Sequence, residues 1–139
     1  MTYHRFLCCF LVIAVCGCSG QVGITGKVVF DDGSPLEIGQ IRIVSSDNIG
    51  RAAIEPGGTF RIASVSGRKG VPHGVYQVAI EGAAIPGEPI GPNADTFNGP
   101  FTAPTPLIAA KYSDPETSGL TLDTKKTSFL LIKVERLAK

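Results

Sequence analysis

The sequence predicts an all-β domain, a β-sandwich of about seven strands. Period-2 alternation of apolar and polar residues recurs along the chain, turn clusters separate the alternating stretches, and no segment sustains a helical period. Gly (17) and Pro (10) are abundant among the 139 residues, as many short strands joined by turns require. The pattern is clearest from Ile24 to Leu36. Ile24, Val28 and Phe30 share one parity, with Gly26 in the same row, while Thr25 and Lys27 take the other face. Asp31-Asp32-Gly33-Ser34-Pro35 then stops the ladder, because Gly33 accepts a positive φ and Pro35 cannot donate to a sheet.

The first strand is expected over 22–30. A second covers 40–45, with Ile41 and Ile43 on one face, and a short third covers 51–55. Pro56-Gly57-Gly58 reads as a hairpin turn into 59–63, where Phe60 and Ile62 point one way and Arg61 the other. Residues 64–69 read as a polar connection. In the strand that follows Pro72-His73-Gly74, Tyr76, Val78 and Ile80 form one face, and Tyr76 is expected in the core with its hydroxyl bonded. Residues 82–106 break the alternation with six prolines, so a long extended loop is expected, with Phe97 and Phe101 stapling it to the sheet. Residues 107–111 read as a short strand or an extended return. Leu120 and Leu122 mark another strand. The last, 128–136, carries Leu130, Ile132 and Val134 on one face and Phe129 and Leu131 on the other, which predicts cover on both sides.

The first residues read as an export signal. Arg5 with His4 gives a positive start, Phe6 to Val15 is unbroken apolar chain, and small residues follow at Gly17, Cys18, Ser19 and Gly20. The apolar run is too short to span a bilayer comfortably. Val15-Cys16-Gly17-Cys18 resembles a bacterial lipobox, with Cys16 where Ala or Ser is commoner. The resemblance implies a lipoprotein signal peptide over 1–17, cleavage before Cys18, acylation of the Cys18 thiol, and a short lipidated tether over 18–22. Ser19 after the lipidated position points by analogy toward the outer membrane. All four cysteines (Cys8, Cys9, Cys16 and Cys18) lie in this region, so no disulfide framework or zinc site is expected in the domain over 23–139.

Thr25-Gly26-Lys27-Val28-Val29-Phe30-Asp31-Asp32-Gly33-Ser34-Pro35-Leu36, Gly57-Gly58-Thr59-Phe60, Val71-Pro72-His73-Gly74-Val75-Tyr76-Gln77-Val78, Lys111-Tyr112-Ser113-Asp114-Pro115-Glu116-Thr117-Ser118-Gly119-Leu120-Thr121 and Ile132-Lys133-Val134-Glu135-Arg136 follow the lipobox-like stretch in order. With Gly17-Cys18-Ser19-Gly20 they resemble small lipoproteins of planctomycete-type bacteria that carry a carboxypeptidase regulatory-like, or transthyretin-like, domain. That resemblance implies a prealbumin-like Greek-key sandwich of seven strands with no catalytic residue of its own. Only Cys18 carries over, as the lipid attachment point.

Chemistry is sparse beyond this. The chain after the signal holds one histidine, His73, in a turn, and there is no Gly-x-Ser-x-Gly elbow. Asp31-Asp32 and Asp114-Glu116 could offer oxygens to calcium, but they lack EF-hand spacing and are the kind of turn carboxylates that cap local backbone. No phosphate loop or other cofactor motif is present. The formal charge is +1 and no long basic run occurs, which argues against a nucleic-acid partner. The expected function is a non-catalytic binding or structural module, exported and held by its lipid anchor at the cell envelope. Two alternatives stand beside it: a module binding carbohydrate or envelope polymer through Tyr112, Phe97 and Phe101, and an accessory subunit of a secreted enzyme, with an envelope protein as partner.

Overall fold

The computed structural model describes residues 22–91 and 100–137. The expected signal peptide, Cys18 and Phe97 lie outside these. The described chain is all-β apart from one 3-10 turn, Ala110–Ser113. In chain order the strands are β1 (Ile24–Phe30), β2 (Gln40–Val44), β3 (Ile49–Ala53), β4 (Thr59–Ile62), β5 (Ser64–Val65), β6 (Arg68–Lys69), β7 (Val75–Glu81), β8 (Ala84–Ile85), β9 (Thr105–Pro106), β10 (Leu120–Asp123) and β11 (Phe129–Val134). They form a three-stranded sheet ordered β11-β1-β4, a six-stranded sheet ordered β10-β7-β2-β3-β5-β6, and a β8-β9 ribbon.

Alternation decides which side chains are buried. From the small sheet, Ile24, Val28, Phe60, Ile62, Ile132 and Val134 join a cluster with Ile41, Ile43, Tyr76, Val78, Ile80 and Leu122 of the larger sheet. Each fully buried aliphatic side chain contributes about 1.5–3 kcal/mol relative to exposure. The inner row of β1 skips a side chain at Gly26, where the Phe60 ring and the Leu130 carbonyl occupy the space a Cβ would need. β1 is the central strand. It pairs antiparallel with β4 (Gly26 opposite Phe60) and parallel with β11 (Thr25 opposite Phe129, Lys27 opposite Leu131).

Two buried hydroxyls tie the larger sheet to its flanking turns. Ser118 Oγ donates to the Val78 carbonyl at 2.5 Å and accepts from Leu120 N. Thr124 Oγ1 accepts from Gly74 N at 2.8 Å and lies 3.1 Å from the Pro72 carbonyl. Tyr76 is buried as expected, and its hydroxyl donates to that same Pro72 carbonyl at 3.0 Å. Burial of the ring raises the Tyr76 phenol above its usual value.

Several local expectations differ from the fold. The third strand starts two residues earlier than read, at Ile49, because it pairs with Val44 across the tight 45–48 turn. Residues 64–69 are a tiny hairpin rather than a plain connection. Val65 pairs with Arg68 around Ser66 and Gly67, both at positive φ, the geometry of a type I′ turn. Ser66 tolerates that backbone while its N and Oγ both bond the Ile49 backbone. The proline-rich segment doubles back as a ribbon, with Ile90 N bonded to the Pro100 carbonyl and Thr102 N to Glu88. Phe101 does not staple it down: this ring is 53% exposed. Tyr112, a candidate aromatic for the polymer-binding alternative, is buried in the 3-10 turn. Nothing among the described residues covers the outer side of β11, where Phe129 and Leu131 are 54% and 52% exposed.

The Gly26 contact gives a direct test. Gly26→Ala is expected to lower stability by about 1–3 kcal/mol through overpacking against Phe60 and the Leu130 backbone. Gly23→Ala, which meets nothing within 4 Å, should stay within about 0.5 kcal/mol of wild type. Urea unfolding of both variants measures the difference.

Candidate functional site

The strand registers place the charged residues at two ends of the domain. At the entry end, Val22 N and Val71 O are 3.2 Å apart and Val71 N and Val22 O 2.9 Å, so the chain arrives beside the start of β7. The end of β4, the β5-β6 hairpin and the turn between β10 and β11 lie at this same end, because Ile24 faces Ile62 and Thr25 N bonds the Ser128 carbonyl. Arg61, Arg68, Lys69, Lys125 and Lys126 all lie at that end, Lys125 and Lys126 beside β10 and Arg68 and Lys69 at the opposite edge of the larger sheet. Among the described residues, Asp47 and Asp123 are the acidic ones at that end, and Asp123 pairs with Lys126 at 3.5 Å.

The outer face of the small sheet continues from this end. Its first row is Arg61–Thr25–Phe129 and its second is Thr59–Lys27–Leu131. Two large apolar side chains therefore stand beside two cations. Where β4 and β6 meet the start of β1, a cleft of about 290 Å3 is lined by Gly23, Arg61, Ala63, Lys69 and Gly70. Among the described residues, Lys27, Arg61, Arg68 and Lys69 form no salt bridge.

The far end is mostly acidic, with Asp31, Asp32, Glu37, Glu55, Glu81 and Glu135 in its turns and strand ends. Arg136, a cation at this end, is held in place. The guanidinium stacks 3.7 Å over the Phe30 ring, donates from Nη2 to Ser34 Oγ at 2.7 Å and lies 3.8 Å from Asp32 Oδ2. Asp32 Oδ1 also accepts from Ser34 N and Ser34 Oγ. The Ser34 bonds, with a smaller contribution from Arg136, hold the Asp32 carboxyl below its usual value. A second cleft of about 290 Å3 near this end is lined mainly by small and apolar groups, among them Ala83, Pro106, Ile108 and Leu137.

The sequence candidates for chemistry stay apart. His73 is exposed in its turn, whose bonds run through Tyr76 and Thr124 instead. The turn carboxylates serve local backbone: Asp114 Oδ1 accepts from Glu116 N at 2.9 Å, as Asp32 does from Ser34 N. Among the described residues no three His, Cys, Asp or Glu side chains gather as a metal site. Of the three aromatics proposed for polymer binding, Tyr112 is buried, Phe101 is exposed and Phe97 lies outside the described residues. The basic and apolar outer face was not anticipated. Its only sequence signal is that Lys27, Arg61, Phe129 and Leu131 each have the parity opposite to the core. No family model, curated protein or solved structure matches the chain.

The Asp32 cluster has a pH signature. A carboxyl depressed in the folded state adds stability above its unfolded pKa, and that stability is lost as pH falls through the folded value. Thermal melts from neutral pH down through the carboxylate range should show Asp32→Asn losing less stability on acidification than wild type. An identical acid dependence would remove Asp32 from the account.

Proposed function

We propose that this chain is a non-catalytic, lipid-anchored protein of the cell envelope, exported and held at a membrane surface through Cys18. The observation that carries this reading is the order of the N-terminal sequence: Arg5, the apolar run to Val15, then Val15-Cys16-Gly17-Cys18, with Val22, paired to Val71, only four residues further on. A single acyl chain binds a membrane marginally and two or more bind it stably, so a multiply acylated cysteine would suffice as the anchor. Among the described residues no helix is long and apolar enough to cross a membrane.

The domain is read as a prealbumin-like Greek-key sandwich. In support, seven of the described strands run four residues or longer: β1, β2, β3, β4, β7, β10 and β11. They divide between two sheets as β11-β1-β4 and β10-β7-β2-β3. On this reading the module binds or organises other envelope components and performs no reaction of its own. The hydroxyls nearest His73 in the chain's turn, those of Tyr76 and Thr124, are engaged with backbone groups of Pro72 and Gly74, which favours that over a hydrolase, and burial of Tyr112 weakens the version built on aromatic carbohydrate binding.

Cys18→Ser, expressed from Met1, is expected to move the protein from the membrane fraction to the soluble fraction and to abolish incorporation of labelled fatty acid. Fractionation and metabolic labelling measure the two effects. Unchanged membrane retention with no label in the wild type would refute the anchor.

A further inference from the structure

We infer that the entry-end half of the small sheet's outer face is a docking surface for the headgroups of an anionic lipid bilayer, so that the domain lies against the membrane in a fixed orientation. The inference rests on the lipid-anchor reading for the proximity of the membrane and on the fold for the surface itself. Four chain steps separate Cys18 from Val22, a reach of at most about 14 Å. Phe129 stands opposite Thr25, three residues along from Val22 and therefore about 10 Å further. The tether would therefore hold near the bilayer the end of the domain that carries this patch, where Phe129 and Leu131 flank Lys27, Arg61 lies across Thr25 and Lys69 lines the adjoining cleft.

Its chemistry fits one occupant. Lys27, Arg61 and Lys69 have no acidic partner among the described residues, so their charge is available to phosphate groups. Phe129 and Leu131 project from the same rows and can enter the headgroup–acyl boundary while the cations stay with the phosphates. Charge along the domain is also ordered for this orientation. Arg61, Arg68, Lys69, Lys125 and Lys126 lie toward the entry end and Asp31, Asp32, Glu37, Glu55, Glu81 and Glu135 toward the far end, so a negative surface favours the entry end over the far one. The cleft beside these rows is lined by Arg61, Lys69 and small residues, and two large apolar side chains project from the open sheet surface next to it, an arrangement that suits an extended surface better than a single small ligand.

The chain contains no Trp, so single tryptophans report position. Phe129→Trp and Ile85→Trp, the second on the far-end ribbon, are introduced separately into the full chain expressed from Met1. Each is added to vesicles of brominated phosphatidylcholine, alone or mixed with phosphatidylglycerol. The expected result is strong quenching of the tryptophan at 129 on the mixed vesicles, weak quenching on neutral ones, and little at 85 on either. Reversing three charges in the Phe129→Trp chain (Lys27→Glu, Arg61→Glu and Lys69→Glu) should weaken the quenching interaction at least about tenfold, and added salt should do the same. Arg61 and Lys69 are exposed and Lys27 is half-buried on the outer face, and circular dichroism checks that the variants fold. Equal quenching at the two positions, or none at 129, would overturn the inference. So would binding to soluble polyglutamate without quenching by vesicles, which would assign the face to an acidic polymer. The anchor reading is scored separately: Cys18-dependent retention without quenching at 129 leaves the anchor and removes the docking face, and quenching at 129 in an unacylated protein does the reverse.

Discussion

The parallel pairing of β1 with β11 is the constraint on which the structure depends. Nearly the whole described chain lies between these two strands, yet they are neighbours in one sheet, and a parallel pair cannot be closed by a short turn. The intervening chain, β2 to β10, acts as the crossover. The register of the pair sets Val28 beside Ile132 and Phe30 beside Val134, which completes the inner face of the small sheet. Gly26 makes the third strand fit, because a side chain there would collide with Phe60 and hold β4 away. One strand therefore couples the two ends of the domain to its core.

The same register composes the surface. The inner positions of β1, β4 and β11 are spent on burial, and the outer positions form rows in which Arg61, Thr25 and Phe129 are neighbours. Their chain positions are far apart, so their juxtaposition follows from the pairing alone. The far end repeats the logic: Ser34 and Arg136, 102 residues apart, meet beside Phe30 because β1 and β11 end together. A cation there is stacked and hydrogen-bonded, while Arg61, Arg68 and Lys69 toward the entry end form no salt bridge among the described residues. The contrast gives the domain two chemically distinct ends on one scaffold.

Buried polar groups fix the connections that hydrophobic pattern leaves loose. Ser118 and Thr124 sit in turn-rich segments where alternation gives no register, and each bonds a backbone group of or beside β7. An unpaired hydroxyl at such sites would cost about 1–3 kcal/mol, so the bonded arrangement is strongly preferred over a slipped one. The Tyr76 hydroxyl shares the Pro72 carbonyl with Thr124, which joins the core aromatic to the turn that starts its strand. The Ser66–Gly67 turn works in the same way, since two bonds to Ile49 hold a left-handed backbone that serine alone disfavours.

The sequence by itself determined the all-β class, the approximate place of the principal strands and the inward side of each, including Tyr76 as a core residue with a bonded hydroxyl. These are local properties: side-chain parity, turn residues and apolar content act over a few neighbours and can be read without knowing what lies across the sheet. Tertiary structure decided the rest. It buried Tyr112, left Phe101 and the outer side of β11 exposed, and turned residues 64–69 into a hairpin. It also gathered cations that look scattered along the chain into one end of the domain. Each of those outcomes depends on which strand becomes whose neighbour, and that is set by pairing between distant segments rather than by any pattern within one.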